Sequence, residues 1–345
     1  MLALSGSKAS CLVAFHPNLS FPERGGTLVK EFSDITPGID FDEVIASWNV
    51  DHADGSSLLI EARAHGADFV SKWYTMARWA LDDNGGPRES VKGQGDAMGT
   101  VDTDTLALRS AGKAVDVRLT LHNTAAEEGA TLKFFSLSFS RRTATVPDRP
   151  SRSAAWGKTI DVPQRAQNNY PNGGVLCSPT SVSMTLSHYA DVLKRPELNK
   201  DVPEVEYHVW DPVYKGAGNW PFNTAYAGSF SGMVSYVARF DSIQDLESWT
   251  AAGFPVICSV SFDMLRGLPL SATESGHLVV LVGFDDLGNP VINDPAFKDQ
   301  VHRTYKRSDF ERAWAYSRKT VYLVYPEAAA IPQTPSGLWD VSTKS

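Results

Sequence analysis

Five apolar residues in unbroken succession, Leu278-Val-Val-Leu-Val282, most narrow the folds open to this chain. A run without polar alternation suits a central strand buried on both faces. It follows Gly276-His277, so His277 stands at the mouth of that strand. Asp285-Asp-Leu-Gly-Asn289 then reads as a hairpin turn, and Val291-Ile-Asn-Asp294 before Pro295 as the returning strand. A hairpin of that length brings Asp294 beside His277. Taken singly, His277 reads as an ordinary strand-end histidine and Asp294 as a residue capping the turn at Pro295.

A second constraint lies upstream. Asn168-Asn-Tyr-Pro-Asn-Gly-Gly174 is a loop, after which Cys177-Ser-Pro-Thr180 opens a run whose Val182, Met184, Leu186 and Tyr189 suit a half-buried helix. Proline is tolerated in a first helical turn, where backbone N–H groups lack partners anyway. Cys177 therefore sits at a helix N-terminus, where the dipole and free N–H groups favour a thiolate over a thiol. A thiolate attacks carbonyl carbon. The plainer reading is a buried structural cysteine. What tips the balance is that such a nucleophile needs a histidine base and a third group to orient it. His277 and Asp294 stand at suitable element ends in that order. His208 is the rival base, ranked lower because no buried strand with an aspartate on the next one follows it.

These residues resemble the C39-like cysteine peptidases, which have a papain-like fold. The resemblance is carried by Gln167, Cys177-Ser-Pro, Gly276-His277 and Asn293-Asp294-Pro295, over roughly residues 159 to 326. It implies Cys177 as nucleophile, His277 as general base and acid, Asp294 as the orienting carboxylate and Gln167 as an oxyanion donor. Two departures stand out. The family usually has Cys-Gly-Pro, where this chain has Ser178. The gap from Gln167 to Cys177 is also longer, with Pro171-Asn-Gly-Gly174 resembling an insertion, which makes Gln164 an alternative donor.

A chain of 345 residues is comfortable for two domains. With 42% hydrophobic and 21% charged residues it reads as globular and soluble. A net charge of −8 and the lack of any basic run argue against a nucleic-acid surface. Cys11, Cys177 and Cys258 form no disulfide framework, and the odd count leaves a free thiol. Cys258, within Pro255-Val-Ile-Cys-Ser-Val260, reads as a small core residue. No histidine, cysteine and carboxylate cluster has ligand spacing, so no metal or other cofactor is expected. No stretch is long and apolar enough to span a membrane. The first fifteen residues make a poor signal peptide, and the compartment stays open, since relatives of this architecture are also exported.

The rest of the chain supplies the domain plan. Residues 1–30 read as an N-terminal segment with disorder, and 31–141 as a jelly-roll-like β-sandwich. A Pro-rich linker follows at 142–158, then an α+β papain-like domain at 159–328 and a C-terminal tail at 329–345. In the β region Leu58, Ile60, Ala62 and Ala64 alternate with Leu59, Glu61 and Arg63. Some C39-like proteins carry such a module, with a similar Ser47-Trp48 start and Val101-Asp102 strand, and it resembles carbohydrate-binding sandwiches. Its Trp48, Trp73, Tyr74 and Trp79 read as core for the most part, with sugar stacking as the sharper alternative. In the second half, Gly216-Ala-Gly-Asn-Trp-Pro-Phe-Asn223 is the polar-aromatic loop that offers Asn219 and Trp220 as substrate contacts beside Ser178. Gly232 to Phe240 reads as a helix, and Ser242 to Trp249 as an amphipathic helix with a serine N-cap. The whole indicates a cysteine hydrolase acting on peptide or peptidoglycan-type amides, with a carbohydrate as the candidate ligand of the β-sandwich. A cell-wall amidase or acyl transferase on the same fold is one alternative, and a catalytically silent carbohydrate- or peptide-binding protein the other.

Overall fold

The structure, a computed structural model, describes residues 8–125, 129–146, 149–273, 276–332 and 339–340. The chain divides into two compact units. One gathers Ala9–Ala144, His208–Val237 and the chain end; the other gathers Thr145–Tyr207 and Ala238–Leu338.

The first unit is built on β-strands, with the nineteen-residue strand Thr105–Asn123 at its centre. The beginning of that strand pairs with Gly99–Asp102 and with Phe41–Asp51, and its remainder with Ser56–Gly66 and Thr27–Ile35, all antiparallel. The expected period of two holds in Ser56–Gly66. Leu58, Ile60, Ala62 and Ala64 are buried, and the residues between them are half-exposed. Trp48, Tyr74 and Trp79 lie fully inside this core. Trp73 is half-exposed, but the guanidinium groups of Arg63 and Arg118 lie over its ring, 4.7 and 4.1 Å from the centroid.

Three expectations are corrected here. The N-terminal segment is not loose throughout. Ser10–Phe15 is a fully buried strand, antiparallel to Thr131–Ser140, because Cys11-Leu-Val-Ala-Phe15 is apolar enough to form an inner strand once a partner exists. Residues 1–7 lie outside the described residues. Next, Gly232 to Phe240 is not a helix. Met233–Arg239 is a strand buried at every position, and a short apolar run rich in Val and Tyr is the case that periodicity cannot arbitrate. Finally, residues 208–237, expected within the domain at 159–328, group by their contacts with the strands of the first unit. The Asn49 amide donates to Ser235 O at 2.7 Å and accepts from Ser235 N at 3.0 Å, as a neighbouring backbone would. Ser47 Oγ accepts from Val237 N, and Lys133 bonds both Asp51 and Phe230 O. The ring of Phe222, on helix Trp220–Ala227, meets Trp48 edge-on at 6.3 Å.

The second unit is mixed. Antiparallel strands run in the spatial order Thr320–Pro326, Val256–Val260, His277–Phe284, Pro290–Asn293 and His302–Thr304. His277–Phe284 is buried at every position, as its apolar run requires. Helix Cys177–Leu193 is buried along most of its length. Helix Ile243–Ala251 carries the anticipated cap, a reciprocal box between Ser242 and Asp245. The latter part of the linker is held to this unit by the fully buried Glu247, which accepts from Arg152 N, Trp156 Nε1 and Arg307 Nη1 at 2.7 to 2.9 Å. Pro147 and Asp148 lie outside the described residues.

The Asn49 network yields a test. Asn49→Ala would strand the buried N–H and C=O of Ser235, so the variant should lose about 2–4 kcal/mol of stability in urea unfolding. A loss below about 0.5 kcal/mol would show that Asn49 does not hold the segment.

Candidate active site

Helix Cys177–Leu193 begins at Cys177 with Leu176 as N-cap and no side chain capping it. Its first-turn N–H groups are thus left for other acceptors. The thiol of Cys177 accepts from the backbone N–H groups of Ser178 and Leu278. Ser181 Oγ donates to Leu278 O at 3.2 Å, tying this helix to the histidine strand. Cys177 is partly exposed, whereas Cys11 and Cys258 are buried.

His277 opens its strand directly after Gly276, whose φ of +79° is a conformation that favours glycine. Its ring is buried, with the Phe262 ring centroid 4.8 Å away. Nε2 lies 2.7 Å from Asp294 Oδ1. The ring is also hydrogen-bonded to the Cys177 thiol. The register that permits this is the hairpin pairing of Val280 with Asn293.

Asp294 is fully buried and fully partnered. Oδ1 also accepts from Ala296 N at 3.0 Å, and Oδ2 accepts from the Tyr305 hydroxyl at 2.5 Å. Burial alone would raise its pKa, but the charge and hydrogen bond of His277, with those of Tyr305 and Ala296, hold it below the usual carboxylate range. Burial likewise opposes the imidazolium of His277. Asp294 and the Cys177 thiolate outweigh it and lift the ring to about 10. For Cys177, burial pushes up while His277 and the two backbone N–H groups pull further down, so the thiol lies below its ordinary value. The arrangement favours a thiolate–imidazolium pair, whose protons belong to the pair rather than to either residue. Cys258 has burial alone and is driven well above the usual thiol range.

Gln167 opens a short 3₁₀ turn, Gln167–Asn169. Its backbone N–H donates to Pro295 O at 2.9 Å, and Asn168 Nδ2 donates to Ala296 O at 2.9 Å, so this loop is sewn to the turn that follows Asp294. The Gln167 amide donates one N–H to Gly173 O at 2.7 Å; an amide nitrogen carries two. A Cβ on Gly173 would come within 2.7 Å of Gln167 O, which explains a glycine in the longer loop. Gln164 is exposed, beside Arg165, Asn169 and Tyr170 on an open polar surface.

The other anticipated residues are placed differently. Ser178 is fully buried, its hydroxyl 2.9 Å from that of Tyr322, so the serine that replaces the family's glycine turns into the core. Asn219 is buried, caps helix Trp220–Ala227 through Phe222 N and donates to Asp211. Trp220 N–H bonds Asp104 Oδ2. Asn219 and Trp220 belong to the first unit, whereas Cys177, His277, Asp294 and Gln167 all belong to the second. His208 also falls in the first unit, bonded to Leu81 O and stacked on Tyr226 at 5.0 Å. Tyr305 and Phe262 went unread in the sequence. The only signal for Tyr305 was its place directly after His302–Thr304, a strand too short to stand out. Among the described residues one cluster has metal-ligand geometry: Asp34, His65 and Asp116 of the first unit. There the Arg63 guanidinium already sits 2.6 Å from Asp116 and balances its charge.

Residues 159–322 match the Peptidase_C39 like family, and residues 32–140 match the Peptidase C39 N-terminal domain. No curated protein matches the chain. Among solved structures, one from Bacillus anthracis described as a C39-like peptidase is 17% identical over 52% of this chain and 98% of its own, with a TM-score of 0.35. PirA is 12% identical over 39% of this chain and 95% of its own, with a TM-score of 0.16. A structure of infectious bursal disease virus, Gx strain, is 12% identical over 41% of this chain and 35% of its own, with a TM-score of 0.12. Superpositions that weak carry no argument, and the assignment rests on the two family matches. By these matches residues 159–322, in the mixed α/β half, belong to the C39-like peptidase family, and residues 32–140 ahead of them are its N-terminal domain.

Proposed function

We propose that this chain is a cysteine peptidase working through Cys177, His277 and Asp294. The observation that carries the reading is the 2.7 Å bond from His277 Nε2 to a fully buried Asp294, with the same ring hydrogen-bonded to the Cys177 thiol at a helix start. The Cys177 thiolate attacks an amide carbonyl carbon, and the C=O electron pair moves onto oxygen. The Cys177 backbone N–H and the second N–H of the Gln167 amide stabilise that oxyanion, each donor worth on the order of 3 kcal/mol. Imidazolium His277 then gives its proton to the leaving amine as the C–N bond breaks, leaving a thioester. Neutral His277 takes a proton from water, whose oxygen attacks the thioester, and release of the acid regenerates the thiolate. Asp294 stays ionised throughout. It fixes the ring orientation and offsets the charge the ring acquires.

Two variants test the reading. Cys177→Ala should abolish hydrolysis, measured against a casein and peptidoglycan panel, and leave the melting temperature within a few degrees. Retention of full activity would remove Cys177 from the chemistry. Asp294→Asn keeps an oxygen for the His277 N–H but loses the charge. Turnover should fall by roughly one to two orders of magnitude, at 1.4 kcal/mol per tenfold, with KM little altered. Should Asp294 merely cap the turn before Pro295, the variant would melt earlier and turn over normally per folded molecule.

A further inference from the structure

The second oxygen of Asp294 leads to a residue that the hydrolytic scheme leaves unused. We propose that Tyr305 is a positioning residue for the Cys177–His277 pair, acting through Asp294 by locking the rotation of the carboxylate and keeping it ionised. The proposal rests on the peptidase reading of that pair.

The geometry is specific. The Tyr305 hydroxyl meets Asp294 Oδ2 at 2.5 Å, the short end of the range for a hydroxyl on a charged oxygen. Oδ1 is already held by His277 and Ala296. A carboxylate gripped at one oxygen can swing about its Cβ–Cγ bond; gripped at both, it cannot. Tyr305 is itself fixed. Its backbone N–H donates to Pro290 O at 3.0 Å, and the strand before it pairs residue by residue with Val291, Ile292 and Asn293. Asp294 N also bonds Val301 O at 2.7 Å, closing the turn between aspartate and tyrosine. Burial, then the Asp294 charge, push the phenol far above its usual pKa, so it remains a donor at any working pH.

The surroundings shut this bond away from water. Arg303 lies over the rings of Phe297, at 3.6 Å, and Tyr305, at 5.6 Å. Phe297 neighbours Phe262, whose ring covers His277. The charged and titratable groups that face the cluster are Cys177 from its helix, Arg303 from its strand, and Arg266 with its partner Asp263 beside Phe262. His302, on the adjoining strand, is bonded to Asn293 Oδ1 at 2.9 Å. In that dry setting a carboxylate oxygen without a donor is strongly disfavoured, so loss of the phenol proton would let Asp294 take up a proton at higher pH. A neutral Asp294 cannot hold the imidazolium, and the thiolate would then form only at higher pH.

The test follows alkylation of Cys177 by trace iodoacetamide across pH in the full chain, with melting temperature read on the same samples. Wild type should label at Cys177 well before Cys11 or Cys258 at about pH 5 to 6. In Tyr305→Phe the acid limb should rise by about one unit, a roughly tenfold loss of labelling at the foot of the limb, with the rate near pH 8 little changed. Insertion of 3-fluorotyrosine at position 305 keeps the side-chain shape and makes the phenol a stronger donor. It should move the limb down, and it decides the matter if Tyr305→Phe does not fold. An acid limb that neither replacement moves, with only melting affected, would reduce Tyr305 to a structural role. A wild-type Cys177 that ionises only at an ordinary thiol pKa, about 8.5, would overturn the peptidase reading itself and this proposal with it.

Discussion

A carboxylate removed from water is held in place by three donors, and the His277–Asp294 bond at 2.7 Å is the one on which the rest of the α/β unit depends. Burying a charge is costly unless each of its lone pairs finds a partner. His277 and Ala296 satisfy one oxygen and Tyr305 the other. Each partner dictates backbone around it. The hairpin register places His277 across from the end of the returning strand, and the turn after Pro295 brings Ala296 N back to the carboxylate. The next short strand delivers Tyr305. The Gln167 loop, bonded to Pro295 O, is aligned by the same turn. A single buried charge thereby couples four separate stretches of chain to the thiol.

The same rule, that buried polar groups must be partnered, governs the helix bearing Cys177 and the β-rich unit. Ser178 and Ser181 spend their hydroxyls on Tyr322 and Leu278, and the Tyr189 hydroxyl goes to Val324 O, so a helix with many polar side chains can lie in the core. In the β-rich unit Asn49 supplies donor and acceptor to Ser235 in place of a strand neighbour. These bonds explain why the serine after Cys177 turns its hydroxyl into the core. They also explain why a segment lying late in the chain belongs to the unit formed early.

What the sequence determined by itself was local in origin. The apolar run after His277, the turn at Asp285-Asp-Leu-Gly-Asn289 and the returning strand follow from period and turn chemistry, and they already imply that Asp294 stands beside His277. The helix start at Cys177 follows from Pro179, the box at Ser242 from Asp245 three residues on, and the strand Ser56–Gly66 from strict alternation. Tertiary structure decided what depends on partners distant in sequence. Met233–Arg239 is a strand because both its faces are covered, and Ser10–Phe15 an inner strand because Thr131–Ser140 lies alongside. Asn219 and Trp220 were drawn to Asp211 and Asp104, within the β-rich unit. Tyr305 acquires its role only when a turn folds it back onto Asp294. A hydrogen bond between residues far apart along the chain leaves no periodic trace, because either partner alone is compatible with many environments and only the closed fold supplies the other.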